Sequence, residues 1–394
     1  MDSEIATGHP ATTRESAELT EQTDLLRMNV FVLLNRALDV SAWRENFESG
    51  DLPDGTPYGF HLAQSDTCKV SFSRPTKSTL AARSFKFVLG FDLFHALNNW
   101  RSIQSSDVVW TMSEREYLAA LFLMALAPKK KSPKVLAQTI WLFDRWEKLS
   151  TVRKAFYRWL IARAAVLTVH SKSYLGLVQS MFSEADVRLT YFGISADSFP
   201  LAQPIAENRT GKLRIFSAGN DQSRDWGTLF EALGGDERFE VVVAIRGIEA
   251  KQVRRFSNFT VLDPANIAGF RASYSWADFT VIPMKPNRYS GITVALEATA
   301  SGSTLICSDT GGVPTYFSHD EAIFVPPGDP VALRNAALAV GAEERAIASR
   351  AQRRFIERDY TTKGLARRHI ELSRELLGVE LVQVPHASIA HCDV

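Results

Sequence analysis

Short apolar, β-branched runs alternate with helical stretches along this chain, and the alternation breaks once and restarts. Residues 28–34 (MNVFVLL) and 107–112 (DVVWTM) have the length and composition of buried strands, as do 135–141, 166–169 and 187–192. Residues 69–72 and 85–89 are weaker strand candidates. Runs 114–127, 152–165 and 174–182 read as helices. Residues 198–211 (SFPLAQPIAENRTG) are polar, hold two prolines and read as a linker. Strands at 213–218, 239–245, 259–262 and 279–283 follow, with helices at 226–233 and near 267–274, and 331–377 is helical with a break near Asp359. Alternation of this kind packs helices on a largely parallel sheet. The chain is therefore predicted to be α/β, two units joined by one linker.

At 394 residues it can build two domains of ordinary size. A net charge of +1 argues against a dedicated nucleic-acid binder. The local balance is uneven: residues 67–172 hold 18 Lys and Arg against 6 Asp and Glu. The first 24 residues, acidic and poor in large apolar side chains, read as a disordered tail, and 381–394 as a second tail. Cys68, Cys307 and Cys392 lie far apart without metal-ligand spacing, which fits a reducing compartment. The polar, acidic start is not a signal peptide, and the most apolar run, 118–128, is too short to span a bilayer. A cytoplasmic protein is expected, or one held at the cytoplasmic face of a membrane.

Two stretches have the makings of a phosphate cradle. The first, Gly219-Asn220-Asp221-Gln222-Ser223-Arg224-Asp225-Trp226, follows a strand and precedes a helix. Gly219 permits a tight turn, and Arg224 can fork onto phosphate oxygens. An ordinary strand–helix turn with a surface Arg paired to Asp225 would read the same, and no G-x-G-x-x-G is present. The second, Ser290-Gly291-Ile292-Thr293 after Tyr289, opens a helix whose free N–H groups and positive end suit a diphosphate. Glu297 lies six residues past Gly291, deeper along that helix, where a carboxylate can accept hydrogen bonds from a ribose diol. A surface Glu on an amphipathic helix is the alternative.

These segments resemble the donor-binding half of GT-B glycosyltransferases of the family-4 type. In that family a strand leads to a Gly-Arg pair, a loop ending in Lys-Gly, and a helix. Here Gly219 matches the glycine, Asn220 replaces the Arg, and Arg224 falls on the Lys; Leu229, Glu231 and Ala232 follow the helix pattern. Glu297 and Ala298 match the second Glu of the family's paired motif and its Ala. Gly302, Gly311-Gly312 and Pro327-Gly328-Asp329 match later turns. The first Glu is missing, with Tyr289 in its place and Arg288 beside it. In the N-terminal half, 107–111, 135–141, 165–171 and 191–199 follow the family's strand order. Its His after the central strand is replaced by Trp141, Phe143 and Asp144, so Asp144 is the nearest candidate base or acceptor contact. A helix-surface Asp bridged to Arg145 or Lys148 is the other reading, and His170 reads as structural.

The resemblance implies a GT-B fold, two Rossmann-like α/β domains across a cleft: an acceptor domain over 25–200, a linker over 201–211 and a nucleotide-sugar domain over 212–358. A C-terminal helix over 359–380 packs back on the first domain. It implies transfer of a sugar from a UDP-linked donor to a saccharide or lipid-linked saccharide, in polysaccharide or glycoconjugate biosynthesis, with retention. Arg224, Glu297 and Asp144 would be catalytic. Gly219, Asn220, Arg224, Tyr289, Ser290, Gly291, Ile292, Thr293 and Glu297 would hold the donor, and Trp141, Asp144 and Arg145 the acceptor. No cofactor is implied, and no acidic pair suggests a metal. Two alternatives stay open: a catalytically silent nucleotide-sugar-binding scaffold and a nucleotide-sugar epimerase of the same architecture. The basic span 129–163, with Phe156, Tyr157, Trp159 and Leu160 among its cations, suggests contact with an anionic membrane, or only a solvated surface.

Overall fold

The computed structural model describes residues 27–127, 132–204, 211–219, 221–263, 267–339 and 343–379. Both predicted tails, Lys129–Lys131, most of the predicted linker and Asn220 lie wholly or largely outside these residues. Two six-stranded sheets, each wholly parallel, form the frame. The first contains β1 (Met28–Leu33), β2 (Cys68–Phe72), β3 (Val108–Thr111), β4 (Lys134–Gln138), β5 (Val166–Val169) and β6 (Val187–Leu189), ordered β2-β1-β3-β4-β5-β6. The second contains β7 (Leu213–Ala218), β8 (Phe239–Ala244), β9 (Phe259–Leu262), β10 (Phe279–Ile282), β11 (Thr304–Ser308) and β12 (Ile323–Val325), ordered β12-β11-β10-β7-β8-β9.

Parallel strands covered by helices on both faces need no polar side, which is why these runs are almost continuously apolar. β3, β5 and β10 are buried at every residue. Successive side chains still point to opposite faces: Ile215 packs with Trp226 and Leu229, while Phe216 packs with Tyr274 and Leu296. In the first sheet Phe31, Leu33 and Val109 meet Tyr117 and Leu121 on one side. Val30, Val32 and Trp110 meet Leu365, Ala366 and Leu372 on the other. Those last three belong to the helix Thr362–Leu377, so the end of the chain completes the core of its beginning.

Strand order reverses between β1 and β3 in the first sheet and between β7 and β10 in the second. Adjacent crossovers leave on opposite faces there, opening a crevice beyond the carboxyl ends of the strands where α/β proteins bind ligands.

Several local expectations need correction. Residues 85–89 are not a strand; they end the helix Leu80–Leu89, which the Thr79 hydroxyl caps by accepting from Ala82 N and a left-handed Gly90 closes. β4 stops at Gln138, leaving Trp141 in the turn beyond it. The helix Thr151–Ile161 buries Tyr157 and Leu160 and packs Phe156 against the same core, while Trp159 is 42% exposed.

Candidate active site

Beyond β7 the backbone turns at Gly219, where φ is 146° and a Cβ would overlap Arg224 Nε. The next residues pair with the segment after β10: Asp225 N donates to Pro283 O at 3.0 Å and Lys285 N to Ser223 O at 2.9 Å. This short antiparallel bridge spans the switch point of the second sheet and fixes Arg224 between its flanking strands. Arg224 is only 5% exposed, and its Nε and Nη1 have no hydrogen-bond partner. The Asp221 carboxylate lies 3.6 Å from Nε. Burial lowers the pKa of the guanidinium, and Asp221 opposes that shift. Asp225 does not pair with it; it caps the helix Trp226–Leu233, accepting from Thr228 N and Oγ1. The surface-Arg reading of this turn is thereby overturned.

The second cradle faces Arg224 across a cavity of about 340 Å³, lined by Gly219, Asp221, Arg224, Tyr289, Glu297 and the run Ser290 to Val294. Gly291, at φ 96°, precedes the helix Ile292–Ala300, and no side chain caps that helix. A Cβ on Gly291 would lie 2.8 Å from Met284 Sδ and Val313 Cγ2. The Asn287 side chain shapes the turn by accepting from Tyr289 N at 3.0 Å and Ser290 N at 2.8 Å. The buried Ser290 Oγ has no partner. The first N–H groups of a helix have no acceptor within it, and its dipole is positive at this end. One wall of the cavity thus offers N–H groups, and another a buried cation with two nitrogens that make no hydrogen bond.

Glu297 stands farther along the wall, its Oε2 accepting from Tyr274 Oη at 2.8 Å. Burial pushes its carboxyl up to about 7, against the lowering effect of the Tyr274 bond. Tyr289, in place of the resemblance's first Glu, lays its ring edge-on to Trp141 at 5.7 Å and near His170 at 6.0 Å. His170 is buried, its Nδ1 bonded to Thr190 O, and desolvation holds its pKa down at about 4.

Asp144 neither bridges to Arg145 nor stands free. It pairs with Arg288 Nη1 at 3.2 Å, from the other half of the molecule. Burial raises its pKa while Arg288 lowers it. Ser171 Oγ donates to Arg288 O at 2.5 Å, Lys172 N to Thr315 Oγ1 at 2.9 Å and Phe192 N to Tyr316 Oη at 2.7 Å. These bonds join the two halves along one side of the cleft.

A second cavity, about 330 Å³, opens at the switch point of the first sheet, lined by Asn35, Tyr58, Glu116, Ile140, Trp141 and Arg145 among others. Trp141 lines both cavities. Glu116 is 3% exposed; Oε2 accepts from the Ser113 hydroxyl, while Oε1 has no partner. Burial raises its carboxyl to about 7 against the Ser113 bond. Tyr58 holds a left-handed backbone, φ 62°, unusual for a side chain of its size and a form of strain that collects at functional sites. Burial, then the Glu116 charge, pushes its phenol up to about 12.

Sequence reasoning missed Asn35, Tyr58, Glu116, Tyr274 and Asn287. Glu116 was hidden because Ser113-x-x-Glu116 has the spacing of an ordinary helix-capping box. Among the described residues no cluster of three or more His, Cys, Asp or Glu side chains has metal-holding geometry, and no helix is long and apolar enough to cross a membrane.

No protein-family model matches the sequence, and no curated protein matches it either. Solved structures do. Sucrose-phosphate synthase from Thermosynechococcus elongatus aligns over 89% of this chain and all of its own, with a TM-score of 0.65 and 16% identity. HepE from Anabaena, in complex with UDP and glucose, aligns over 89% and 100% with a TM-score of 0.60 and 12% identity. The α,α-trehalose 6-phosphate synthase from Burkholderia multivorans aligns over 89% and 99%, TM-score 0.63, at 12% identity. At such identities the likeness is one of fold.

Proposed function

Since the chain carries the GT-B fold of these glycosyltransferases, we propose that it transfers a sugar from a UDP-linked donor to a saccharide or lipid-linked saccharide acceptor. The observation that carries the proposal is Arg224. A buried guanidinium with two nitrogens that no protein group hydrogen-bonds, and only the Asp221 carboxylate 3.6 Å from Nε, stands across a cavity from an uncapped helix N-terminus, an arrangement that suits a diphosphate. HepE, which shares the fold, has been solved with UDP and with UDP-glucose, which supports a uridine nucleotide here.

In this reading the donor diphosphate sits between Arg224 and the N–H groups of Gly291, Ile292 and Thr293. Negative charge grows on the leaving phosphate as the glycosidic bond breaks, and these donors stabilise that charge without reorganising. Glu297, steadied by Tyr274, accepts from the ribose hydroxyls. Trp141 separates donor from acceptor, and the acceptor enters the second cavity against Arg145, Glu116 and Tyr58. Asp144, tied to Arg288, holds the two halves in register and does not serve as a base; transfer proceeds with retention. Polysaccharide or glycoconjugate assembly is the setting that suits such an acceptor. The absence of a Glu at Tyr289 favours one second reading, a silent module that binds the nucleotide-sugar without turning it over.

Thermal stabilisation by a panel of nucleotide-sugars, with release of nucleoside diphosphate from each, tests both readings. Consumption of at least one UDP-sugar, lost in Arg224→Met, is expected. Binding without consumption leaves the silent module, and no binding of any member overturns the donor site.

A further inference from the structure

The helix Leu80–Leu89 (LAARSFKFVL) has an apolar composition, yet none of its ten residues is buried. Leu80 is 81% exposed, Phe87 86% and Val88 65%. Arg153 Nη2 donates to Val88 O at 2.7 Å and to Phe87 O at 3.3 Å, which brings the start of the helix Thr151–Ile161 alongside. The Val152 side chain there is 81% exposed as well. Phe85 meets Phe94 edge-on at 5.4 Å, so the helix Leu93–Asn98 with its exposed Leu97 continues the surface. Folded chains seldom leave so many large apolar side chains together in water unless something covers them.

Charge indicates what covers this one. Residues 74–101 hold five cations, Arg74, Lys77, Arg83, Lys86 and Arg101, and one carboxylate, Asp92. Asp92 is buried, 2.7 Å from Lys86 Nζ and 3.6 Å from Arg36 Nε, so it does not offset the exposed cations. Arg74, Lys77, Arg83 and Arg101 are all exposed. A twofold dimer through this face would set the same cations against each other. An anionic bilayer instead offers negative headgroups to the cations and an acyl layer to Leu80, Phe87 and Val88.

We propose that the helix Leu80–Leu89, with Val152 and Leu97 at its margins, docks the protein on an anionic membrane. This site is centred on residues 80–89 and shares with the basic span 129–163 only its edge at Val152 and Arg153. The docking does not depend on the glycosyl-transfer reading. A corollary does: Thr76 N donates to Arg36 O at 2.9 Å, hanging the helix from the end of the first sheet where Asn35 lines the second cavity. An acceptor rooted in the membrane would emerge at that cavity.

Flotation of the full chain with vesicles of phosphatidylcholine, alone or mixed with phosphatidylglycerol, is the test. The chain floats with the mixed vesicles only, and high salt weakens the association. The triple substitution Leu80→Ser, Phe87→Ser, Val88→Ser lowers partitioning by roughly tenfold or more, while the circular dichroism melt stays in place because all three are exposed. Lys77→Glu with Arg83→Glu abolishes the preference for phosphatidylglycerol. No flotation with mixed vesicles, or equal flotation of the triple variant, would overturn the proposal. So would a concentration-dependent dimer that the triple substitution converts to monomer. UDP-induced stabilisation, measured on the same samples, reports on the donor site separately.

Discussion

Buried ionisable side chains in this protein are placed at a cost to the free molecule. Arg224 has one carboxylate 3.6 Å from Nε and no hydrogen bond at Nε or Nη1, an arrangement whose desolvation is incompletely repaid. Glu116 and Glu297 sit with carboxyls raised to about 7 from an ordinary 4.5. The folded state therefore holds more protons than the unfolded one between those values, and stability falls as pH rises through the upper one. His170 and His369, held down at about 4 and about 3, act in the opposite sense: below their ordinary 6.5 the unfolded chain takes up protons the folded chain refuses. Between about pH 4.5 and 6.5 the two pairs oppose each other, and above that range only the carboxyls still titrate, so the melting temperature of the free protein should fall from about pH 6 to about pH 8. Melts of Glu116→Gln/Glu297→Gln should lose that alkaline limb; an unchanged limb would mean that neither carboxyl is protonated in the fold. Glu297 could be singled out in the sequence because it follows a glycine turn at fixed spacing. Glu116 could not, since the cavity it lines is completed by Tyr58 and Trp141, both distant in the chain.

At the scale of elements, the turns after β7 and β10 do most to shape the site. The sequence signals them through glycines that precede helices, and the strands through apolar runs without alternation, the mark of a sheet covered on both faces. Helix Leu80–Leu89 went unrecognised at 85–89 because Phe-Lys-Phe-Val-Leu is rich in strand formers. Its Thr79 cap and Gly90 stop were the counter-signals. Gly291→Ala tests the second turn. Positive φ and contacts of 2.8 Å to Met284 Sδ and Val313 Cγ2 leave a methyl no room. A loss of about 1–3 kcal/mol is expected, visible by calorimetry as a lower melting temperature, together with loss of UDP-induced stabilisation. A variant that melts and responds to UDP like the parent would show the turn to be incidental.

Over the whole molecule, the chain is closed by its own end. The helix Thr362–Leu377 covers one face of the first sheet, and Trp110 Nε1 donates to Ser373 Oγ at 2.8 Å inside that contact. Pairing across more than two hundred residues leaves no local trace in the sequence; only the apolar spacing of that helix does. Ser373→Ala would strand a buried indole N–H, at about 1–3 kcal/mol, and should lower the melting temperature with a red shift of tryptophan fluorescence on melting at that lower temperature. No change would mean that the contact contributes nothing. Within the second half, a cavity lies between Arg224 and the helix N-terminus at Gly291, and the proposed function requires that a nucleoside diphosphate bind there. Thermal melts with and without UDP test it most directly, because a ligand bound only by the folded state must stabilise it. UDP should raise the melting temperature of the parent chain. In Arg224→Met the free protein should melt no lower, and UDP should bind roughly 30-fold more weakly, about 2 kcal/mol. An equal UDP shift in the parent and in Arg224→Met, or none in either, would mean that Arg224 holds no diphosphate.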